Sequence, residues 1–220
     1  MVDGFPSGIA GGLLRETLLL LYDILSSVLI VAIIVGFIAA ISGIWPPLVA
    51  IESGSMEPHI NKGDLAFVME EHRLVGETAV GDTGIIPYQK AKNTGYQTFQ
   101  EPGDVIVYEP NGKSSATPII HRARFYVEKG ENWVKDANES WLRGADSCDD
   151  LKACPAPHDG FITGGDNNGY YDQTDRDDLS TVVKPEWIIG RAISRIPYLG
   201  KIRLRANAVS RDLSRSARPA

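Results

Sequence analysis

The sequence predicts a mostly β domain, built as a small barrel or a pair of coiled sheets, preceded by one N-terminal transmembrane helix. Two observations predict this fold class. One long apolar run without charge lies in the first fifth of the 220-residue chain, and short apolar runs separated by Gly, Pro, Asn and Asp make up the remainder. A chain of this length can form one medium-sized domain with an appendage.

The N-terminal segment predicts a membrane anchor. Residues 1–23 are predicted to be a tail and a lead-in, of which the Gly-rich residues 1–12 are expected to be frayed. From Ile24 to Ile44 the chain has 21 residues and no charge. This length is enough to cross a hydrocarbon core of about 30 Å. We therefore predict a transmembrane helix over 24–45, ended by Pro46 and the proline after it.

A cleaved secretory signal is the alternative interpretation of the same run. The run is longer than the usual apolar core of a signal peptide, about 7 to 15 residues, and residues 48–50 lack the small residue required three positions before a cut. The sequence therefore favours an uncleaved anchor. Its orientation stays open, because Arg15 is balanced by Glu16 and Asp23 and the positive-inside rule gives no preference.

Residues 46–204 are predicted to form the β-rich domain, because six short apolar runs have the length and composition of strands. These runs are Leu65–Met69, Asp104–Tyr108, Ile119–Ile120, Arg124–Val127, Gly160–Thr163 and Trp187–Gly190. Two polar stretches, near 70–100 and 129–158, are predicted to be insertions or long surface loops. Residues 205–220 form a basic C-terminal tail.

The second insertion holds both cysteines of the chain, Cys148 and Cys154. In an extracytoplasmic domain, two cysteines this close would most simply form a local disulfide. Free thiols are a second possibility. A metal site with His158 and Asp149 as further ligands is a third, although the paired C-x-x-C spacing of structural zinc sites is absent.

Candidate catalytic residues begin with the segment 53–58, Ser-Gly-Ser-Met-Glu-Pro, which follows directly on the apolar run. Glycine here would let a substrate backbone approach closely, although Ser-Gly-Ser is also ordinary turn chemistry. A serine hydroxyl needs a base to become a nucleophile, and histidine is the usual one. His121 lies on a predicted strand, whereas His72 and His158 lie in the insertions. A purely structural histidine is the alternative.

The third candidate is the segment 164–172, Gly-Gly-Asp-Asn-Asn-Gly-Tyr-Tyr-Asp, which follows a predicted strand. Its composition is typical of a tight turn, in which Asp166 would cap its own loop. A calcium site is also conceivable, but the EF-hand spacing does not fit. Its ligands would be Asp166, Asn168, Asp172, Asp175, Asp177 and Asp178. A carboxylate of this segment could instead orient the imidazole of His121, which is the third role in a Ser/His/Asp arrangement.

Taken together, the motifs and their order resemble type I signal peptidase, and more narrowly its archaeal and endoplasmic-reticulum branch. In that branch a histidine stands where the bacterial enzymes carry a lysine, and His121 occupies that place. The resemblance covers the helix and roughly residues 48–200, apart from the two insertions. The motifs are the membrane helix, SGSMEP at 53–58, IIHRA at 119–123, GGDNNGYYD at 164–172, and GRA and RIPYLG within 190–200.

The resemblance implies a role for each matching residue. Ser55 would be the nucleophile and His121 the general base. Asp166 and Asp172 match the two aspartates of the family, of which we expect Asp172 to orient His121 and Asp166 to be a supporting carboxylate. The side chain of Ser53 would bind the oxyanion together with the backbone N–H of Ser55. The resemblance implies no metal and no cofactor.

The resemblance also implies a function: a membrane-anchored serine endopeptidase that removes N-terminal signal peptides from secreted preproteins and cuts after small residues. The substrate would lie as an added strand along residues 47–51. The implied partners are signal peptides, the lipid membrane and the protein translocation machinery, with no nucleic acid. The implied location is the cell membrane, single-pass, with the catalytic domain outside the cytoplasm.

Two other classes are alternatives. A catalytically inactive, membrane-anchored β domain that binds partners would share the fold, but the joint presence of the four candidate residues argues against it. A self-cleaving repressor-type protease fits less well, because those proteins use a lysine base and carry a DNA-binding domain in place of the helix.

Overall fold

The computed structural model describes residues 7–174 and 179–201, and the chain divides into two compact units, 1–41 and 42–220. Helix α1, Ser7–Ser42, accounts for the first unit. Within it, Arg15–Ser42 is 28 residues long with a mean hydropathy of 3.0, so by length and composition it could cross a membrane.

The bounds of α1 differ from the predicted ones at both ends. Residues 7–12 are helical, so the expectation of a frayed end is wrong for them, while residues 1–6 lie outside the described part of the chain. The run of good helix formers that follows, Leu13, Leu14 and Arg15, favours the helix that these residues begin. The helix ends at Ser42, before the prolines, because Gly43 adopts a left-handed conformation with φ of +77°.

The second unit is mostly β, which confirms the predicted fold class. Its elements are β1 Leu48–Ala50, β2 Leu65–Met69, α2 Tyr88–Ala91, β3 Gln97–Thr98, β4 Glu101–Pro102, β5 Val105–Tyr108, β6 Ile119–Val127, β7 Gly160–Gly164 and β8 Ile188–Ile196. In the described ranges, six strands form one antiparallel sheet in the order β1-β2-β8-β5-β6-β7, and β3 and β4 form a separate hairpin.

Two strands are longer than the sequence predicts. Each contains a buried charged residue, which interrupts the apolar pattern from which the ends of the strand are predicted. The runs at 119–120 and 124–127 belong to one strand, β6, which continues through His121 and Arg122 because both residues pair with β5. Strand β8 extends to Ile196 because its second half, from Arg191, pairs with β2, while its first half pairs with β5. Ladder hydrogen bonds to neighbouring strands therefore decide the strand length here, rather than the local composition.

One part of the hydrophobic core lies between the loop that follows β1 and the central strands of the sheet. One cluster of buried residues includes Ile51, Met56 and Ile60, packed with Val105 and Ala192 of the central strands. Three of these residues, Ile51, Met56 and Ile60, belong to the loop that carries Ser55. The hydrophobic core thus holds that loop against the sheet.

The second insertion, residues 129–158, is partly buried and is therefore not only a surface loop. Its Trp133 and Leu142 are buried together with Phe125 of β6 and Tyr171. Cys148 and Cys154 form a disulfide, which excludes free thiols and a metal bound by this pair. The insertion therefore has an apolar core of its own.

The first insertion, near 70–100, also contributes to the core. Ile85 and Ile86 are buried, and the short helix α2 follows them. The backbone N–H of Ile86 donates to the carboxylate of Asp104, which fixes this insertion to the residue that precedes β5. Part of this insertion is therefore buried as well.

Candidate active site

Ser55 lies in the loop that connects β1 to β2. The loop is closed at its base by two backbone hydrogen bonds, from Ile51 N–H to the Asp64 carbonyl at 3.0 Å and from Gly63 N–H to the Ile51 carbonyl at 2.9 Å. The side chains of Met56 and Ile60 are fully buried below it. Because apolar burial fixes the underside of the loop, Ser55 is held half-buried at its outer face.

His121 lies on β6, where it pairs with Ile106 of β5. Its side chain is buried, and its Nε2 atom lies 2.9 Å from the Oγ atom of Ser55. A central strand of the sheet therefore presents an imidazole to the serine within hydrogen-bond distance.

Asp172 completes a continuous series of hydrogen bonds. Its Oδ1 and Oδ2 atoms lie 2.9 and 2.8 Å from Nδ1 of His121. Its Oδ2 also accepts hydrogen bonds from the hydroxyls of Thr163 on β7, at 2.6 Å, and Tyr108 on β5, at 2.9 Å. Residues on three neighbouring strands thus converge on one fully buried carboxylate.

The electrostatics keep this carboxylate ionised. Burial raises the pKa of Asp172, but the charge of protonated His121 and the hydrogen bonds from His121, Thr163 and Tyr108 together lower it below its ordinary value. Burial and the neighbouring Asp172 charge raise the pKa of Tyr108 well above its ordinary value, so the phenol keeps its proton and donates it.

An ionised Asp172 determines the tautomer of His121. A carboxylate can only accept, so the Nδ1 atom of His121 must carry a proton. In the neutral imidazole, Nε2 then has a free lone pair, and that atom lies 2.9 Å from the Ser55 hydroxyl. Chemically, the arrangement can remove the serine proton.

Ser53 lies on the open side of this series. Its Oγ atom lies 3.1 Å from Oγ of Ser55, and the residue is exposed. If it turned away from Ser55, the Ser53 hydroxyl could donate to an oxygen atom bound beside Ser55.

Asp166 does not contact His121 and belongs to a separate cluster. Arg122 binds it with two nitrogens, Nε at 2.9 Å to Oδ1 and Nη2 at 2.7 Å to Oδ2. Nη2 of Arg124 lies 2.8 Å from Oδ1, and Nδ1 of His59 lies 2.9 Å from Oδ2. Burial raises the pKa of Asp166, but Arg122 and then Arg124 and His59 lower it below its ordinary value.

The Asp166 loop nevertheless touches the Ser55 loop directly. The backbone N–H of Asn167 donates to the Ser55 carbonyl at 2.8 Å, and the Asn167 side-chain amide donates to the Gly54 carbonyl at 3.1 Å. A Cβ atom on Gly165 would lie 2.5 Å from the same Ser55 carbonyl oxygen. The two loops therefore pack backbone against backbone, which requires a glycine at 165.

Sequence reasoning missed several residues of the site. The sequence predicts Tyr108 and Thr163 only as strand residues, and Tyr108 lies 64 positions from the carboxylate that it contacts. His59 and Arg124 were given no role, although both bind Asp166. The sequence feature that could have indicated a role for His59 is its position directly after the SGSMEP segment.

Possible metal ligands are few among the residues described. Glu70, Glu71 and His72 bring their ligand atoms within 4.8 Å of one another in the first insertion, apart from the serine. Calcium at the 164–172 segment is not favoured, because the oxygens of Asp166 already face two arginines. The remaining acidic residues of that hypothesis, at 175, 177 and 178, lie outside the described ranges.

Comparison with known proteins gives named relatives for part of the chain. No family model matches. The signal peptidase complex catalytic subunit sec11 of Sclerotinia sclerotiorum is 32% identical over 109 residues, covering 46% of this chain and 49% of the relative. The corresponding SEC11 subunit of Saccharomyces cerevisiae is 30% identical over 96 residues, covering 39% and 41%. Over the matched residues the chain is similar to these signal peptidase catalytic subunits.

The family resemblance predicted from the motifs is thereby confirmed. The chain spans about half the length, or less, of these curated relatives. Their names describe catalytic subunits of a signal peptidase complex. The molecule thus combines a similarity to signal peptidase subunits with a serine that lies within hydrogen-bond distance of a buried His–Asp pair.

Proposed function

We propose that this chain is a membrane-anchored serine endopeptidase that removes N-terminal signal peptides from secreted preproteins, cutting after small residues. The observation that carries the proposal is the hydrogen-bonded series from Asp172 through His121 to Ser55. The names of the relatives supply the substrate class.

In the proposed mechanism, Oγ of Ser55 attacks the scissile carbonyl while Nε2 of His121 takes the serine proton. The resulting imidazolium is stabilised by the Asp172 carboxylate at Nδ1. His121 then gives the proton to the leaving amine, and the acyl group remains on Ser55 until water hydrolyses it with His121 again acting as the base.

The negative charge of the tetrahedral intermediate needs donors beside Ser55. We assign this role to the Ser53 hydroxyl and the Ser55 backbone N–H. The Ser53 hydroxyl lies 3.1 Å from Oγ of Ser55 and is exposed, so it can turn toward a bound substrate oxygen. Loss of one such donor typically lowers kcat by about 10²- to 10³-fold.

Asp166 has a supporting role in this proposal. Its carboxylate neutralises Arg122, the residue next to His121, and its loop donates the Asn167 N–H to the Ser55 carbonyl. Asp166 would thus fix the distance between the strand of the base and the loop of the nucleophile without touching the substrate.

The substrate is proposed to bind as an added strand along β1. In the described part of the sheet, β1 lies at one edge and pairs with β2 alone, so its other side can accept an extended peptide. Ser55 follows β1 by five residues, counting from Ala50. A peptide paired there would run toward the serine.

The proposed location is the cell membrane, with α1 as a single anchor and the catalytic domain outside the cytoplasm. The length and hydropathy of Arg15–Ser42 support the anchor. The disulfide between Cys148 and Cys154 supports an oxidising, extracytoplasmic environment. The proposed partners are signal peptides, lipid and the translocation machinery. The basic tail, 205–220, lies outside the described residues.

The test is cleavage of a secretory preprotein by membranes that contain the wild type, Ser55→Ala or Ser115→Ala. Ser115 lies on the surface and serves as a matched serine control. We expect the wild type and Ser115→Ala to release mature protein whose N-terminus follows a small residue, and Ser55→Ala to release none. Equal cleavage by all three contradicts the proposal. Cleavage by none, with the fold intact, favours an inactive binding domain.

A further inference from the structure

His59 occupies a junction between three elements around the candidate site. It lies four residues after Ser55 in the same loop. Its Nδ1 atom lies 2.9 Å from Oδ2 of Asp166, and its Nε2 atom lies 3.9 Å from Oε1 of Glu101 on β4. Its side chain is only 19% exposed. The imidazole is thus enclosed between two carboxylates rather than directed into solvent.

Asp166 is a rigid partner for this histidine. Its side chain is 3% exposed, and the Arg122 side chain that binds it is fully buried. Arg124 adds a third contact and is itself stacked over Trp141, with its guanidinium carbon 4.4 Å from the ring centre. A hydrogen bond from His59 to this carboxylate therefore connects the Ser55 loop to a fixed point of the domain.

The connection forms a closed ring. From Ser55 the chain runs to His59, whose side chain binds Asp166. The next residue, Asn167, donates its backbone N–H back to the Ser55 carbonyl at 2.8 Å. Two hydrogen bonds four residues apart thus fix both the position and the tilt of the segment that carries the serine hydroxyl.

We propose that His59 is a positioning residue that holds Ser55 in line with His121. This inference rests on the proposed function, because it concerns the rate of the proposed cleavage. His59 acts through Asp166 and does not contact the reacting atoms. Small displacements of a nucleophile lower reaction rates steeply, since about 1 Å can cost about 100-fold.

The chemistry of the contact defines what can replace the histidine. Asp166 is ionised and accepts only, so His59 must donate from Nδ1. Asparagine carries its amide nitrogen on Cγ, where histidine carries Nδ1, and so retains the donor. Glutamine moves the amide one carbon farther, toward the position of Nε2 and Glu101. Alanine removes the donor altogether.

The experiment measures kcat and KM for a preprotein substrate with the full-length protein in membranes. The variants are His59→Ala, His59→Asn and His59→Gln, with His72→Asn as a matched control, because His72 is an exposed histidine in the first insertion. We expect His59→Ala to lower kcat about 10- to 100-fold with KM changed less than about twofold. His59→Asn should restore most of kcat, and His59→Gln should not. His72→Asn should match the wild type.

Three outcomes overturn the inference: an unchanged kcat in His59→Ala, equal rates for His59→Asn and His59→Gln, or a loss of kcat that follows the loss of Tm in every variant. The last outcome would indicate a structural role only. Ser55→Ala is measured in parallel. If Ser55→Ala still cleaves the preprotein, the proposed function is wrong. If Ser55→Ala is inactive and His59→Ala is fully active, the proposed function stands and only the positioning role of His59 is wrong.

Discussion

Gly165 lies so close to Ser55 that a Cβ atom added to it would come within 2.5 Å of the Ser55 carbonyl oxygen. That oxygen also accepts the backbone N–H of Asn167, two residues further along. The contact joins backbone to backbone, so no side-chain rotation can relieve it. The position of the proposed nucleophile therefore depends on a residue with no side chain in another loop.

The substitution Gly165→Ala is expected to lower cleavage activity about 100-fold or more, because one of the two loops must move by the order of 1 Å. The assay is kcat on a preprotein substrate. Gly169→Ala is the control from the same loop, because no atom lies within 4 Å of its added Cβ although its φ of +68° makes the substitution strained. Gly169→Ala should lose about 1 kcal/mol of stability and keep its activity. Equal activities of the two variants would refute the role of the contact.

The substitution Asp172→Asn is expected to lower kcat about 10³- to 10⁴-fold with little change in KM. The Asn amide can donate to Nδ1 of His121, which moves the imidazole proton to Nε2 and removes the lone pair that faces Ser55. Asp149→Asn, an exposed aspartate in the second insertion, is the matched control. A kcat within tenfold of the wild type for Asp172→Asn would show that this carboxylate does not set the tautomer.

Acid should destabilise the domain through Asp166. Because the pKa of this carboxylate is lowered in the folded state, its ionised form contributes stability above its ordinary pKa, near 3.8, and that contribution is lost as the pH falls through the lowered value. We expect the difference in unfolding free energy between the wild type and Asp166→Asn to be large at pH 7 and to shrink toward pH 3.

The measurement is denaturant unfolding of both proteins at several pH values. Both proteins must be measured because burial raises the pKa of Asp104, so this residue gives the stability a pH dependence of the opposite sign. The contribution of Asp104 is common to both proteins and cancels in the difference. A difference that stays constant from pH 7 to 3 would contradict the assigned shift of Asp166.

The apolar core of the second insertion should contribute measurably to stability. Leu142 is 4% exposed and packs in that core, whereas Leu74 is 82% exposed. Leu142→Ala should destabilise the protein by about 2 to 5 kcal/mol, and Leu74→Ala by less than about 0.5 kcal/mol. Thermal unfolding of both variants distinguishes a packed subdomain from a surface loop. Equal Tm values for the two would favour the surface loop.

Much of the fold could be predicted because it follows from local pattern. The apolar run predicted a long helix, and alternating short runs predicted strands, since both depend on hydrophobic periodicity. The continuation of β6 through His121 and Arg122 could not be predicted, because these polar residues are buried only by residues of other strands. The apolar core around Trp133 could not be predicted for a similar reason, because Trp133 packs against Phe125 and Tyr171, which lie outside the insertion.

By itself, the sequence determined the fold class, through composition and periodicity. It also determined, through the motifs and their order, the resemblance to signal peptidases and the candidate residues Ser55, His121, Asp166 and Asp172. Only the tertiary structure placed Asp172 at His121 and Asp166 at Arg122, since both aspartates belong to one short segment with the same turn chemistry. Which carboxylate meets the imidazole depends on the strands at either side, and that arrangement is a property of the packed sheet rather than of the local chain.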